Sequence, residues 1–172
     1  MKSCKVWCVV LMLQGVVMAA PVPVPVKAQV MQWVDLLSDQ ERKLGPPPLL
    51  PTNHNFLDEA PGQALAQQLS FTPNTQLEGR LIRLPGYVVP ISQDDKGRVT
   101  EFFLVPYYGA CIHMPPPPPN QVVYSVPAQP FAIKSLTTPY WISGPMKISS
   151  KTTRLGAAAY TVSGSAIEPY KD

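Results

Sequence analysis

The sequence predicts a mainly β protein: a small OB-like (oligonucleotide/oligosaccharide-binding) barrel of five or six strands with a short N-terminal helical extension. Three observations point there. Beyond Thr75 the chain breaks into short apolar runs cut by Gly and Pro at the spacing of an all-β domain. Apolar residues alternate with others in several of those runs, the period of a half-buried strand. Glycines at 79, 86, 144 and 164 fall inside or beside the runs, where they permit the bulges and coiling a small barrel needs. Such a fold describes geometry and does not name a ligand.

Taken in order, residues 1–19 read as a secretory signal. Lys2 and Lys5 give it a basic start, and an apolar run from Val6 to Met18 is interrupted only by Gln14 and Gly15. The run is too short to span a bilayer as a mature helix, so no transmembrane segment is expected in the mature chain. Cleavage is expected after Ala19, and neither Cys4 nor Cys8 follows a lipoprotein box. An exported, periplasmic protein is the expected product. Residues 20–28 form a proline-rich tether, in which Pro21-Val22-Pro23-Val24-Pro25-Val26 holds an extended, semi-rigid course.

Residues 29–74 form a helical and loop extension. Residues 29–37 put Val30, Trp33, Val34 and Leu37 on one face at helical spacing, and Ser38-Asp39-Gln40-Glu41 offers a capping box for one more turn ending at Gly45. A further short helix is expected over 62–69. The β-domain follows at 75–172, with strands near 77–84, 87–91, 99–105, 121–126, 140–148 and 158–167. Asp94-Asp95-Lys96-Gly97 is the turn of a hairpin joining the second and third of these. Val122, Tyr124 and Val126 share one face, as do Ala158, Tyr160 and Val162, with Thr161 and Ser163 opposite. Trp141 reads as core.

Composition narrows the function classes. Removing residues 1–19 leaves about 153 of 172, with 12 basic against 11 acidic side chains, so no block of like charge remains to grip nucleic acid. All 22 prolines lie beyond the signal, roughly one residue in seven against about 5% usually. Of three cysteines, two leave with the signal. Cys111 is then a single thiol in an oxidising compartment, which makes it a buried thiol, an intermolecular bridge, a metal ligand or a reactive group.

The run Pro106-Tyr107-Tyr108-Gly109-Ala110-Cys111-Ile112-His113-Met114, followed by five prolines and Asn120-Gln121, is the candidate site. Cys111 and His113 are two residues apart, so on an extended backbone their side chains share a face about 7 Å apart, close enough to grip one ion. Thiolate and imidazole suit zinc first and copper second, and Met114 would favour Cu(I). Zinc normally takes four ligands, so Glu78, His54, Tyr107, water or a partner protein would complete the set. Pro115, Asn120 and Gln121 frame the segment. The bland alternative is a small apolar thiol in the core beside a hydrogen-bonded histidine. A nucleophilic Cys-His pair is a third use of the same residues, but few orienting groups stand near, since Asn120 must reach back across five prolines, which weighs against an enzyme.

The strings Leu77-Glu78-Gly79-Arg80, Arg83-Leu84-Pro85-Gly86-Tyr87-Val88-Val89-Pro90 and Glu101-Phe102-Phe103-Leu104-Val105 resemble a bacterial exported family classed as a domain of unknown function. So do Gly109-Ala110-Cys111-Ile112-His113 with its prolines, Tyr140-Trp141-Ile142-x-Gly144 and Glu168-Pro169-Tyr170, and the likeness covers about the last hundred residues. The resemblance implies export, and for some members genes beside zinc-controlled ABC-transporter components. The resulting expectation is a metal-binding accessory protein that hands zinc or copper to or from a transport system. A structural docking module of an ABC-transporter or other envelope complex is the alternative, and a Cys-dependent enzyme is the third.

Overall fold

The computed structural model describes residues 27–44, 67, 71–110 and 116–171. The expected signal, the 21–26 prolines and all of the expected 62–69 helix except Gln67 lie outside the described residues. Six strands are present among those described: β1 (Gln29–Val30), β2 (Leu81–Gln93), β3 (Val99–Val105), β4 (Val123–Pro127), β5 (Tyr140–Thr153) and β6 (Gly156–Pro169). One α-helix, α1 (Asp39–Leu44), and 3-10 turns at Trp33–Leu36, Thr75–Leu77 and Pro119–Gln121 accompany them. The protein is mainly β. Among the described residues no helix is long and apolar enough to cross a membrane.

The strands pair in the order β1-β2-β3-β4-β6-β5, and β5 pairs again with β2. Residues 81–86 of β2 run antiparallel to β5, whereas residues 87–93 run antiparallel to β3. β4 and β6 are parallel, and β1 lies parallel to β2 with Val30 opposite Arg83. Gly86 stands where β2 changes partner. A Cβ there would meet the Val105 carbonyl oxygen at 2.7 Å and Trp33 Cζ2 at 2.9 Å, so only glycine allows the three segments to converge. Gly144 meets the same need on β5: a Cβ would sit 2.7 Å from Val162 Cγ1, where the β5–β6 register shifts.

Two apolar clusters lie on opposite faces of β3 and β4. The larger holds Ile82, Leu84, Phe102, Leu104, Val123, Ile142, Met146, Tyr160 and Val162, and Met31 and Leu36 of the N-terminal region complete it. The second holds Val89, Phe103, Val105, Ala110, Val122, Tyr124 and Ala158. Phe102 and Phe103 therefore go to different cores, which explains the unbroken apolar run 102–105. A strand buried on both faces cannot alternate.

The expected hairpin is present. Gly97 donates its backbone N–H to the Asp94 carbonyl at 2.9 Å, and Asp94 Oδ1 accepts from the backbone N–H groups of Lys96 and Arg98. The Ser38–Glu41 capping pair also forms, with Glu41 N–H donating to Ser38 Oγ at 3.3 Å. Four expectations need correction. Of residues 29–37 only Trp33–Leu36 is helical, as a 3-10 turn, because Met31 N–H donates to the Arg83 carbonyl and draws the start of the stretch onto the sheet edge. Its expected apolar face is split, with Val30 61% and Val34 49% exposed and Trp33 half-buried against the larger cluster, while Met31 and Leu36 are buried. The strands expected at 77–84 and 87–91 are one strand, and Trp141 lies on the outer surface. Ala158 also separates from Tyr160 and Val162, packing in the second cluster.

Candidate functional site

Cys111, His113, Met114, Pro115 and His54 lie outside the described residues. The structure defines what brackets the 111–115 segment. On its N-terminal side the chain leaves β3 at Val105, exposes Tyr107 and Tyr108, turns through Gly109 at φ 84° and buries Ala110 completely in the second cluster. Tyr108 is propped against Tyr87, with ring centroids 6.2 Å apart.

On the C-terminal side, prolines 117 and 119 are buried. Gln67 donates to the Pro117 carbonyl at 2.6 Å, and it clasps β6 by donating to the Ala157 carbonyl and accepting the Ala157 N–H. The prolines lead into the Pro119–Gln121 turn, whose first position suits proline because its N–H would have no helical acceptor.

Asn120 and Gln121 tie this turn to the N-terminal region. Asn120 is buried, and its amide Nδ2 donates to Glu41 Oε2 at 2.6 Å and to the Thr72 carbonyl at 3.4 Å. Gln121 Nε2 donates to the carbonyls of Trp33 at 2.9 Å and Asn120 at 3.0 Å. Glu41 Oε1 accepts the Thr72 N–H at 2.8 Å. One carboxylate thus gathers α1, the 71–74 stretch and the turn that follows the prolines.

Among the weaker ligand candidates, Glu78 Oε2 accepts the Ile148 backbone N–H at 2.7 Å, pinning the start of the β-domain to β5. Tyr107 is 38% exposed at the exit of β3. Among the described residues no group of three or more His, Cys, Asp or Glu side chains could hold a metal ion.

Sequence reasoning missed Gln67, Glu41 and Tyr160. Tyr160 is buried, accepts the Asn74 N–H at 2.6 Å and donates to the Leu36 carbonyl at 2.6 Å. Burial is the largest cause pushing its phenol up to about 12, opposed by the Asn74 N–H and aided by the Glu41 charge. Tyr124 is pushed to about 12 by burial and by its hydrogen bond to Glu101. Both phenols stay protonated donors at neutral pH. Only the Ser38–Glu41 spacing carried a sequence signal for any of these contacts.

The family model described as "Protein of unknown function (DUF3299)" matches residues 33–169. Among solved structures, the crystal structure of a DUF3299 family protein from Pseudomonas aeruginosa PAO1 is similar, with a TM-score of 0.70 and 34% identity over 85% of this chain and 98% of that chain. No curated protein matches the sequence.

Proposed function

The chain belongs to the DUF3299 family, and on that premise we propose that it is a periplasmic accessory protein that binds zinc, or secondarily copper, through Cys111 and His113 and passes it to or from a transport partner. The observation that carries this reading is the anchoring of both ends of the 111–115 segment. Ala110 is packed in the second cluster, and the returning prolines are held by Gln67, Asn120 and Gln121. A single exported thiol and an imidazole two residues away are thereby carried between two fixed points. Fixed ends reduce the ordering entropy that binding must overcome.

The chemistry follows from the ligands. Cys111 binds as thiolate and releases its proton on binding, and His113 binds through an unprotonated ring nitrogen. Two protein ligands leave half of a tetrahedral sphere to water or to groups of a partner, which suits exchange better than storage. We read the fold that carries them as an OB-like barrel. What supports it is a pairing circuit that returns from β5 to β2, with β4 and β6 parallel.

Alkylation of Cys111 tests the reading. Zinc should slow alkylation by about tenfold or more, a chelator should restore the rate, and His113→Ala should weaken the protection. A rate indifferent to zinc would contradict it, and a fast rate with a bell-shaped pH dependence would favour a Cys-dependent enzyme.

A further inference from the structure

β5 is paired along both edges at its start and along one edge at its end. β2 covers one edge at residues 140–145, Arg80 and Gly79 exchange backbone hydrogen bonds with Met146, and the Glu78 carboxylate takes the Ile148 N–H. Beyond Ile148, among the described residues, only β6 pairs with β5. The opposite edge of 149–153 has no partner strand there, and residues 149–152 are exposed. The hairpin is also basic. Residues 140–167 include Lys147, Lys151 and Arg154 and no Asp or Glu. All three cations are exposed, and none forms an ion pair among the described residues. The Lys151 ammonium is held 4.8 Å from the centre of the Tyr124 ring, a contact that leaves its charge uncancelled.

We propose that the 149–153 edge of β5 docks an extended acidic segment of a partner protein as an added strand, and that Lys147, Lys151 and Arg154 select it by charge. An open edge offers backbone donors and acceptors to an extended chain, and a lysine on it discourages pairing with a neutral or basic one. A second copy of β5 is disfavoured on the same ground, since it would set lysines against lysines. Carboxylates on the incoming strand turn that repulsion into attraction. An anionic membrane fits less well. Surface binding takes a cluster of about four to eight cations or an apolar wedge. The hairpin has three cations, and its apolar Ile148 and Leu155 are packed against the two cores.

The tip of the hairpin sets this edge beside the proline run. A Cβ on Gly156 would lie 3.2 Å from Gln67 Oε1 and 3.4 Å from Pro116 Cβ, and Leu155 packs against the cluster that holds Ala110. A strand added to β5 therefore ends near the groups that anchor both sides of the 111–115 segment. As the docking surface of a transport partner, the edge rests on the metal-transfer reading for its purpose. Its binding of an acidic strand requires no metal.

The test titrates an end-blocked peptide, Thr-Glu-Val-Glu-Val-Glu-Thr, into the isotope-labelled protein and follows backbone amides by NMR. Signals of residues 149–153 should shift, and their hydrogen exchange should slow at saturation. A peptide with Pro in place of each Val keeps the charge, loses strand donors and should bind at least about tenfold more weakly. Lys147→Glu combined with Arg154→Glu should weaken the first peptide at least about tenfold and leave the Trp33 indole signal, a reporter of the fold, in place. Unmoved 149–153 signals would overturn the proposal, as would equal affinity for the two peptides, which is charge attraction without strand addition. Sedimentation with phosphatidylglycerol vesicles, abolished by the same two substitutions while the peptide leaves the edge unmoved, would give the surface to a membrane and overturn it too. Cys111→Ala in chelator should bind the peptide as the parent does. Peptide bound without zinc binding contradicts the metal reading alone, and zinc bound with the edge unmoved contradicts only the docking.

Discussion

Tyr160 shows how much of this fold rests on single polar atoms in the core. Its hydroxyl is both acceptor for Asn74 and donor to Leu36, joining two N-terminal stretches to β6. Tyr160→Phe leaves both backbone groups buried and unpaired and should cost about 1–3 kcal/mol in a urea titration. The pH dependence has a definite sign. The folded phenol is pushed from 10.0 to about 12, so the protonated form is favoured by the fold. Its contribution is complete below pH 10 and is lost as pH rises towards 12. The free energy of unfolding measured across that window should fall more steeply for the parent than for Tyr160→Phe. Gly86 is a second such position, where Gly86→Ala drives a methyl against backbone and indole and should destabilise by about 1–3 kcal/mol.

At the scale of elements, the sequence was legible where local chemistry decides the outcome. β3 spans the residues its apolar run predicts, and the β2–β3 hairpin turns at Asp94 to Gly97 because an Asp side chain can satisfy two backbone donors itself. Arg98 donates to the other Asp94 oxygen at 2.7 Å, and this hydrogen bond is the largest cause lowering that carboxyl below 3.8. The turn's contribution is therefore present above pH 3.8 and lost as pH falls through the lowered value. The stability gap between the parent and Asp94→Asn should close on acidification below pH 4, in urea titrations at stepped pH.

Elsewhere long-range contacts overruled local pattern. Pro85-Gly86 looked like a break, yet it is where β2 passes from β5 to β3, with the Pro85 carbonyl accepting the Trp33 indole N–H at 2.7 Å. The helical spacing at 29–37 survives only as the 3-10 turn Trp33–Leu36, because the edge of β2 offered backbone partners to residues 29–31 of a stretch too short to be a stable helix alone. Trp141 was misplaced for a similar reason. Which side of β5 faces the core is set by pairing on both its edges, and no local signal in Tyr-Trp-Ile decides it.

For the whole molecule, the N-terminal region behaves as a closure over the larger core. Leu36 is fully buried there, so Leu36→Ala should cost about 2–5 kcal/mol, measured by urea unfolding. The same region, through Trp33 and Glu41, holds the turn that follows the proline run. Asn120→Ala should therefore reduce zinc protection of Cys111 with Cys111 and His113 intact, a loss measurable by alkylation. Cys111 and His113 stand out in the sequence as candidates because the one cysteine beyond residues 1–19 falls beside an imidazole and five prolines. The contacts from Gln67, Glu41 and Asn120 that frame them span long sequence separations and left no motif.

Metal binding at Cys111 and His113 is tested by the zinc stoichiometry and affinity of residues 20–172 under reducing conditions, beside Cys111→Ala and His113→Ala. About one zinc per chain is expected, lost or greatly weakened in each variant. Absence of stoichiometric binding, or binding that survives both substitutions, would contradict it.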